Sequence, residues 1–332
     1  MPSESDPLLQ EPIDMTQYPT MFDPSSLVRK GFCPVHNNSG HGVARPTHSL
    51  YYEQHGTGSK RVVLINGLNT NSFGWDFQVR SLAPVCSVLV FDNRGVGYSG
   101  YPTGRYTTSG MAEDILVLLE HIGWTAARQL HVVGVSLGGM IAQELALRIS
   151  DRIASLTLCV TTPGGMPWQN LPPFQGIKSL TTLLFIKEPA DKVPTVLNML
   201  YPSSWLDEPA ADDDRQRSNR EVQTELYLRR VLLSPKQRLP GHVSQLLAAL
   251  THHVPPAPLR RLSTTIPKIV ILCGDQDHLV DVRHSRALKA CMPEAEFVQW
   301  KDTGHGIHSQ RRREFHELLV RVFDEAGGDA GL

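Results

Sequence analysis

The sequence predicts an α/β domain on a mainly parallel sheet, interrupted once by a helical insertion. Three observations predict it. Short apolar runs alternate with helical patterns, the runs are continuous rather than alternating, and the pattern lapses between about residues 163 and 265 before resuming. A strand buried on both faces of a parallel sheet reads as an unbroken Val/Ile/Leu run, whereas a half-solvated strand alternates.

In chain order, residues 1–45 are rich in Pro, Ser, Asp and Asn with little periodicity, and read as a loosely ordered arm. Cys33, His36 and His41 match no zinc spacing, and one Cys with two His is too few for a structural site, so no metal is expected. Regular structure is expected from His48-Ser49-Leu50-Tyr51-Tyr52-Glu53, then a turn at Gly56-Thr57-Gly58 and the buried run Val62-Val63-Leu64-Ile65. Further runs lie at 87–91, 130–133, 153–160, 269–273 and 296–300. Between them, Met111, Ile115, Leu118, Leu119 and Ile122 recur at i, i+4, i+7, i+8 and i+11. Glu113 and Asp114 stand early in that pattern, where the helix dipole favours negative charge, which predicts a helix over 110–121. Others are expected at 137–149 and 313–323. The interval 163–265 carries many prolines, the acidic Asp212-Asp213-Asp214, helical patterns near 221–233 and 242–250, and no buried strand. Because the core pattern resumes at Ile269, this interval reads as a helical cap set between two core strands, not as a separate C-terminal domain. The expected organisation is an arm over 1–45, a core over 46–162 and 266–325, a cap over 163–265 and a flexible tail over 326–332.

Composition excludes several function classes. The 332 residues are 41% hydrophobic and 20% charged, with 32 basic and 33 acidic side chains and a formal net charge of −1. No Lys/Arg cluster is interleaved with aromatics as a nucleic-acid site requires, and Arg311-Arg312-Arg313 reads as a solvated helix face. Five cysteines at long intervals follow no disulfide pattern and point to a reducing compartment. The opening Met1-Pro2-Ser3-Glu4-Ser5-Asp6 has acids and prolines where a secretory signal needs basic and then apolar residues. No run reaches the ~18 apolar residues of a membrane span. A cytoplasmic protein acting on a small molecule without a cofactor is the expectation, reached by exclusion.

The chemistry-bearing motif is Gly134-Val135-Ser136-Leu137-Gly138, directly after the 130–133 run and directly before a helix. A serine on a sharp strand-to-helix turn needs small neighbours, and the helix beginning beside it aims N–H groups at developing negative charge. Ser136 is the candidate nucleophile. A serine hydroxyl needs a base, and the base needs an orienting acid. His305, in Thr303-Gly304-His305-Gly306, is the preferred base; His308 stands close by without flanking glycines. In Gly274-Asp275-Gln276-Asp277 the deeper Asp277 is the preferred acid and Asp275 the alternative. For the oxyanion, Leu137 offers a backbone N–H, and the loop Asn66-Gly67-Leu68 a second, from Leu68. Asn66 and Gly67 are expected to shape that turn and touch substrate. Asp92 and Arg94 read as satisfying a polar turn rather than as catalytic groups.

These pieces resemble the α/β-hydrolase superfamily over about residues 51–160 and 268–323, close to its cap-bearing esterases, epoxide hydrolases and haloperoxidase-like members. The matching motifs are Asn66-Gly67-Leu68, Asp92-Asn93-Arg94-Gly95-Val96-Gly97-Tyr98-Ser99, the Ser136 turn, 274–277 and Gly304-His305-Gly306. The likeness is nearest to poorly characterised fungal and plant members with a Gly-Leu-Asn-Thr turn and an Asp-Asn-Arg-Gly loop. Two departures stand out: Asn66 replaces the usual His of the His-Gly oxyanion turn, and Asp281 stands where many members carry Pro. Serine rather than aspartate at 136 argues against epoxide hydrolase or dehalogenase chemistry. The resemblance implies hydrolysis of a carboxylic ester or related acyl bond of a small, partly apolar substrate. The same three side chains also serve C–C bond hydrolysis, a lyase step or acyl transfer, and a non-catalytic ligand-binding protein of this fold is the rival from another class.

Overall fold

The computed structural model describes residues 15–36, 46–211 and 213–327. Its strands are β1 (Leu27–His36), β2 (Pro46–His55), β3 (Lys60–Ile65), β4 (Cys86–Phe91), β5 (Leu130–Val135), β6 (Ile153–Cys159), β7 (Lys268–Gly274) and β8 (Glu296–Trp300). They form one sheet in the order β1-β2-β4-β3-β5-β6-β7-β8. The first two pairings, β1 with β2 and β2 with β4, are antiparallel, and all the others are parallel. This is the α/β-hydrolase architecture that the sequence leads one to expect.

The continuous runs divide residue by residue between two faces. In β3, Val63 and Ile65 join one core cluster while Val62 and Leu64 join the other. The first face is covered by α2 (Thr108–His121), α3 (Leu137–Ile149), α9 (Pro256–Thr265) and α10 (Val282–Cys291), through Met111, Ile115, Ile141, Leu145, Leu259, Leu262 and Leu288. The second is covered by α1 (Asp76–Leu82) and α12 (Arg312–Gly327), through Val79, Leu82, Phe315, Leu319, Val322 and Phe323. A short α11 (Ile307–Gln310) precedes α12 and adds Ile307 to the second core. The chain leaves β3 for β4 on one side and returns to place β5 on the other. Ligands of open α/β sheets bind outside the carboxyl ends of the strands at such a reversal.

Between β6 and β7 lie α4 (Phe174–Phe185), α5 (Pro189–Leu200), α6 (Ser203–Asp207), α7 (Asn219–Leu233) and α8 (Leu239–Leu250), followed by α9. Pro189, Pro240 and Pro256 sit in the first turns of α5, α8 and α9, where a missing N–H costs nothing. Ser218 and Glu221 form a reciprocal capping box at the start of α7. The excursion has a paired neck: Val254 N–H donates to Pro163 O (2.8 Å), Gly165 N–H to His252 O (3.2 Å), and Gly164 bridges His253. The expected boundary at 265 therefore moves back to Val254, because α9 packs on α3 and α10 as a crossover helix of the core.

The loosely ordered arm expected over 1–45 is also corrected where the structure describes it. Leu27–His36 is an edge strand, and Met21 and Phe22 are buried in the second core. Arg29, Lys30, Gly31 and Pro34 break its alternation, and an edge strand tolerates all four. Residues 37–45, the 326–332 tail beyond Gly327 and His41 lie outside the described residues. Among the described residues no helix is long and apolar enough to cross a membrane.

Candidate active site

β5 delivers Ser136 into a conformation few side chains adopt, φ 56° and ψ −121°. Three glycines make it possible. A Cβ on Gly134 would lie 2.4 Å from Gly138 O, one on Gly138 2.2 Å from Ile65 O, and one on Gly139 2.7 Å from the Thr161 side chain. The turn is then pinned by Ser136 N–H to Cys159 O (2.9 Å), and by Thr161 Oγ1 donating to Ser136 O (2.8 Å). A strained non-glycine residue persists only where its surroundings over-determine it. Ser136 itself is part-exposed at the carboxyl edge of the sheet, with α3 starting at Leu137.

β7 and β8 deliver the other two groups to the same edge. Asp277 Oδ2 lies 2.7 Å from His305 Nδ1, both side chains buried. Asp277 Oδ1 accepts the N–H groups of Leu279 (2.7 Å) and Val280 (2.9 Å), so the carboxylate has a fixed orientation. Asp275, the alternative acid, instead accepts Thr303 N–H (3.2 Å). The glycines around His305 have a packing reason: a Cβ at Gly304 would lie 2.5 Å from Leu200 O, and one at Gly306 2.3 Å from the Tyr201 ring. Gly306 N–H donates to Leu200 O (2.9 Å), so the end of α5 rests directly on the histidine loop. Among the described residues no hydrogen bond joins Ser136 Oγ to His305, a contact that often tightens only with substrate in place. His308 points elsewhere. Its ring lies 4.8 Å from that of Trp75 and 6.2 Å from that of Phe315, and burial, reinforced by Arg230 and His305, pushes its pKa down to about 3.

The loop after β3 lies against the serine. A Cβ on Gly67 would stand 3.3 Å from Ser136 Cβ and 3.9 Å from Oγ. Asn66 is buried, its side-chain amide donating to Phe91 O (3.5 Å) while its backbone carbonyl accepts from Asn93 Nδ2 (3.2 Å). Leu68 packs on the first core. Asp92 holds the neighbouring loops by accepting Ser72 N–H (2.7 Å) and Tyr98 N–H (2.8 Å); burial pushes its carboxyl up to about 6 against those two donors. Arg94 forks onto Asp114 through Nε (2.6 Å) and Nη2 (2.5 Å). Both are scaffold groups. Sequence reading missed Thr161 and the side chains of the insertion that reach this edge, Gln237, His242 and Gln245, whose partners lie far away in the chain. A hydroxyl on a strained turn and an imidazole held by a carboxylate stand at one edge of the sheet, with the loop after β3 packed against the serine.

The chain is similar to proteins named as hydrolases and esterases. RutD of Caulobacter vibrioides, a protein named for carbamate hydrolysis, is 28% identical over 283 residues, 83% of this chain and 96% of its own. The rhodomycin D methylesterase DnrP of Streptomyces peucetius is 27% identical over 265 residues, 74% of this chain and 85% of its own. A thermophilic esterase from Thermogutta terrifontis superposes with a TM-score of 0.68 at 22% identity, covering 90% of this chain and 99% of that one, which speaks to the fold alone. These relatives are bacterial and lend no support to the fungal and plant likeness. The family model described as alpha/beta hydrolase fold matches residues 60–311, and the chain belongs to that family.

Proposed function

We propose that the protein is a serine hydrolase that cleaves a carboxylic ester or related acyl bond through an acyl-enzyme. The observation that carries the reading is the His305–Asp277 contact of 2.7 Å, at the same sheet edge as a serine held at positive φ. His305 Nδ1–H donates to the carboxylate, which leaves Nε2 unprotonated and able to take the Ser136 proton. Ser136 Oγ attacks the acyl carbon, and the carbonyl oxygen becomes an oxyanion met by the N–H groups of Leu137 and Leu68. The imidazolium then protonates the leaving alcohol. Water, deprotonated by the same ring, releases the acid and restores the serine. The insertion acts as a cap, and its apolar side chains, Trp168 and Phe174 among them, favour a substrate with an apolar acyl or alcohol part. Carbamates belong in the same panel, because relatives carry the name carbamate hydrolase and a carbamate, like an ester, is cleaved at its carbonyl carbon.

Labelling with a fluorophosphonate probe tests the nucleophile. Wild type should label and Ser136→Ala should not; folded wild type that stays unlabelled favours a binding protein instead. Rates across p-nitrophenyl esters of increasing acyl length then define the substrate class.

A further inference from the structure

The geometry points to Asn69 as a positioning residue: gripped by Gln237, His242 and Gln245 of the insertion, it fixes the direction of the Leu68 N–H. This rests on the reading of Ser136 as nucleophile and Leu68 as oxyanion donor.

The donor and acceptor roles follow from backbone anchors. Gln245 Nε2 donates to Arg94 O (2.8 Å), so its Oε1 is free to accept Asn69 N–H (2.9 Å). Gln237 Nε2 donates to Gly95 O (3.0 Å) and also to Asn69 Oδ1 (3.0 Å). Asn69 Nδ2 is therefore the donor towards His242 Nδ1 (2.7 Å), which must be unprotonated, with the ring proton on Nε2. Burial and Lys192 hold the His242 pKa below its ordinary value, consistent with that neutral ring. Gln245 is fully buried, and Asn69 sits at φ 57°, a left-handed conformation that asparagine tolerates.

The consequence reaches Leu68 through two peptide planes. Thr70 N–H donates to Gly67 O (3.4 Å), which orients the Gly67–Leu68 peptide and with it the Leu68 N–H. Gln245 orients the next plane through Asn69 N–H. Thr70 Oγ1 also donates to Leu68 O (3.2 Å) on that second plane, and the bonds of Gln237 and His242 with the Asn69 side chain keep residue 69 seated against Gln245, so the loop and the insertion together leave Leu68 little torsional freedom.

The test measures kcat, KM and fluorophosphonate labelling rate, since a phosphonyl oxygen uses the same donors. Asn69→Gly keeps the backbone conformation and deletes the side-chain grip, and Gln245→Ala deletes the acceptor for Asn69 N–H. Each should lower kcat and the labelling rate by about tenfold to 10²-fold, as a donor displaced by a fraction of an ångström does, with KM changed by less than about twofold. His242→Leu should do the same, and His242→Gln, whose amide oxygen can accept from Asn69 Nδ2, should recover most of the loss. If Gln245→Ala fails to fold, Asn69→Gly, at a part-exposed turn, carries the test. Unlabelled wild-type Ser136 overturns this inference together with the reading beneath it. Labelled wild type with unaltered kcat in Asn69→Gly, or equal losses in His242→Gln and His242→Leu, overturns this inference alone.

Discussion

Replacing Asp277 by Asn tests the reaction proposed here most sharply, because the surroundings dictate how the new amide must lie. Asp277 Oδ1 accepts two backbone N–H groups, from Leu279 at 2.7 Å and Val280 at 2.9 Å. An amide NH2 turned towards them would face two donors, a misfit of several kcal/mol in a buried site. The amide oxygen therefore takes the Oδ1 position, and the NH2 group faces His305 Nδ1, 2.7 Å from the present Oδ2. Nδ1 is forced to accept, the ring proton moves to Nε2, and the nitrogen that should take the serine proton already carries one. A tautomer trapped this way lowers kcat about 10⁴-fold, or ~5.5 kcal/mol of activation free energy. The assay is kcat on a p-nitrophenyl ester, beside an unchanged far-UV spectrum and thermal midpoint. Asp275→Asn is the control, since its oxygen can still accept Thr303 N–H. The reasoning is refuted if Asp277→Asn keeps kcat within about tenfold of wild type, a cost near 1.4 kcal/mol, or if Asp275→Asn is the variant that fails.

Ser136→Gly should abolish turnover and yet raise the thermal midpoint, since relief of a positive φ recovers about 1 kcal/mol; a lower midpoint would contradict the strain. Gly138→Ala should give no folded protein, because its Cβ would stand 2.2 Å from the backbone oxygen of Ile65; a soluble variant with a native spectrum would show that the turn can move. Gly67→Ala meets Ser136 Cβ and Val135 O at 3.3 Å, so the fold should survive while kcat falls about tenfold, read from steady-state rates. For pH, burial pushes the His131 pKa from 6.5 down to about 4. Above pH 6.5 both states are neutral and stability is whole. As pH falls from 6.5 to about 4 the unfolded chain takes the proton first, and up to about 3 kcal/mol is lost. Urea midpoints over that range should fall with pH, less steeply in His131→Phe; an identical slope would place the proton uptake elsewhere.

What could be read from sequence was what local chemistry decides. Strands buried on two faces announce themselves, as 62–65 does, and the helix expected over 137–149 is α3. Ser136 and Asp277 could be named because each stands just after a buried run, and His305 because it lies between two glycines in the loop that follows a strand. Choices that depend on distant partners stayed open. Asp275 and Asp277 are two residues apart, and what separates their surroundings is Thr303 for one and the Leu279 and Val280 N–H groups for the other. His308 gives no sign in sequence of Trp75 and Phe315 closing around it. β1 was missed because its one neighbour, β2, supplies the pairing that its own broken pattern does not advertise. α9 begins with the same Pro-rich signature as the excursion before it, and only its contacts with α3 and α10 return it to the core. The grip on Asn69 joins residues 168 to 176 positions apart, beyond any local signal.

The paired neck at Pro163–Val254 makes the molecule easy to remodel. Because the outgoing and returning passages are already bonded side by side, the sheet senses two fixed anchor points and not the length of polypeptide strung between them. Lengthening such a tethered segment costs only a logarithmic entropy, about 0.6 kcal/mol per doubling. Descendants of this chain can therefore trade one set of helices for another while the strands, the turn at Ser136 and the Asp277–His305 pair stay where they are. The same arrangement offers the protein engineer a pair of splice points for chimaeras.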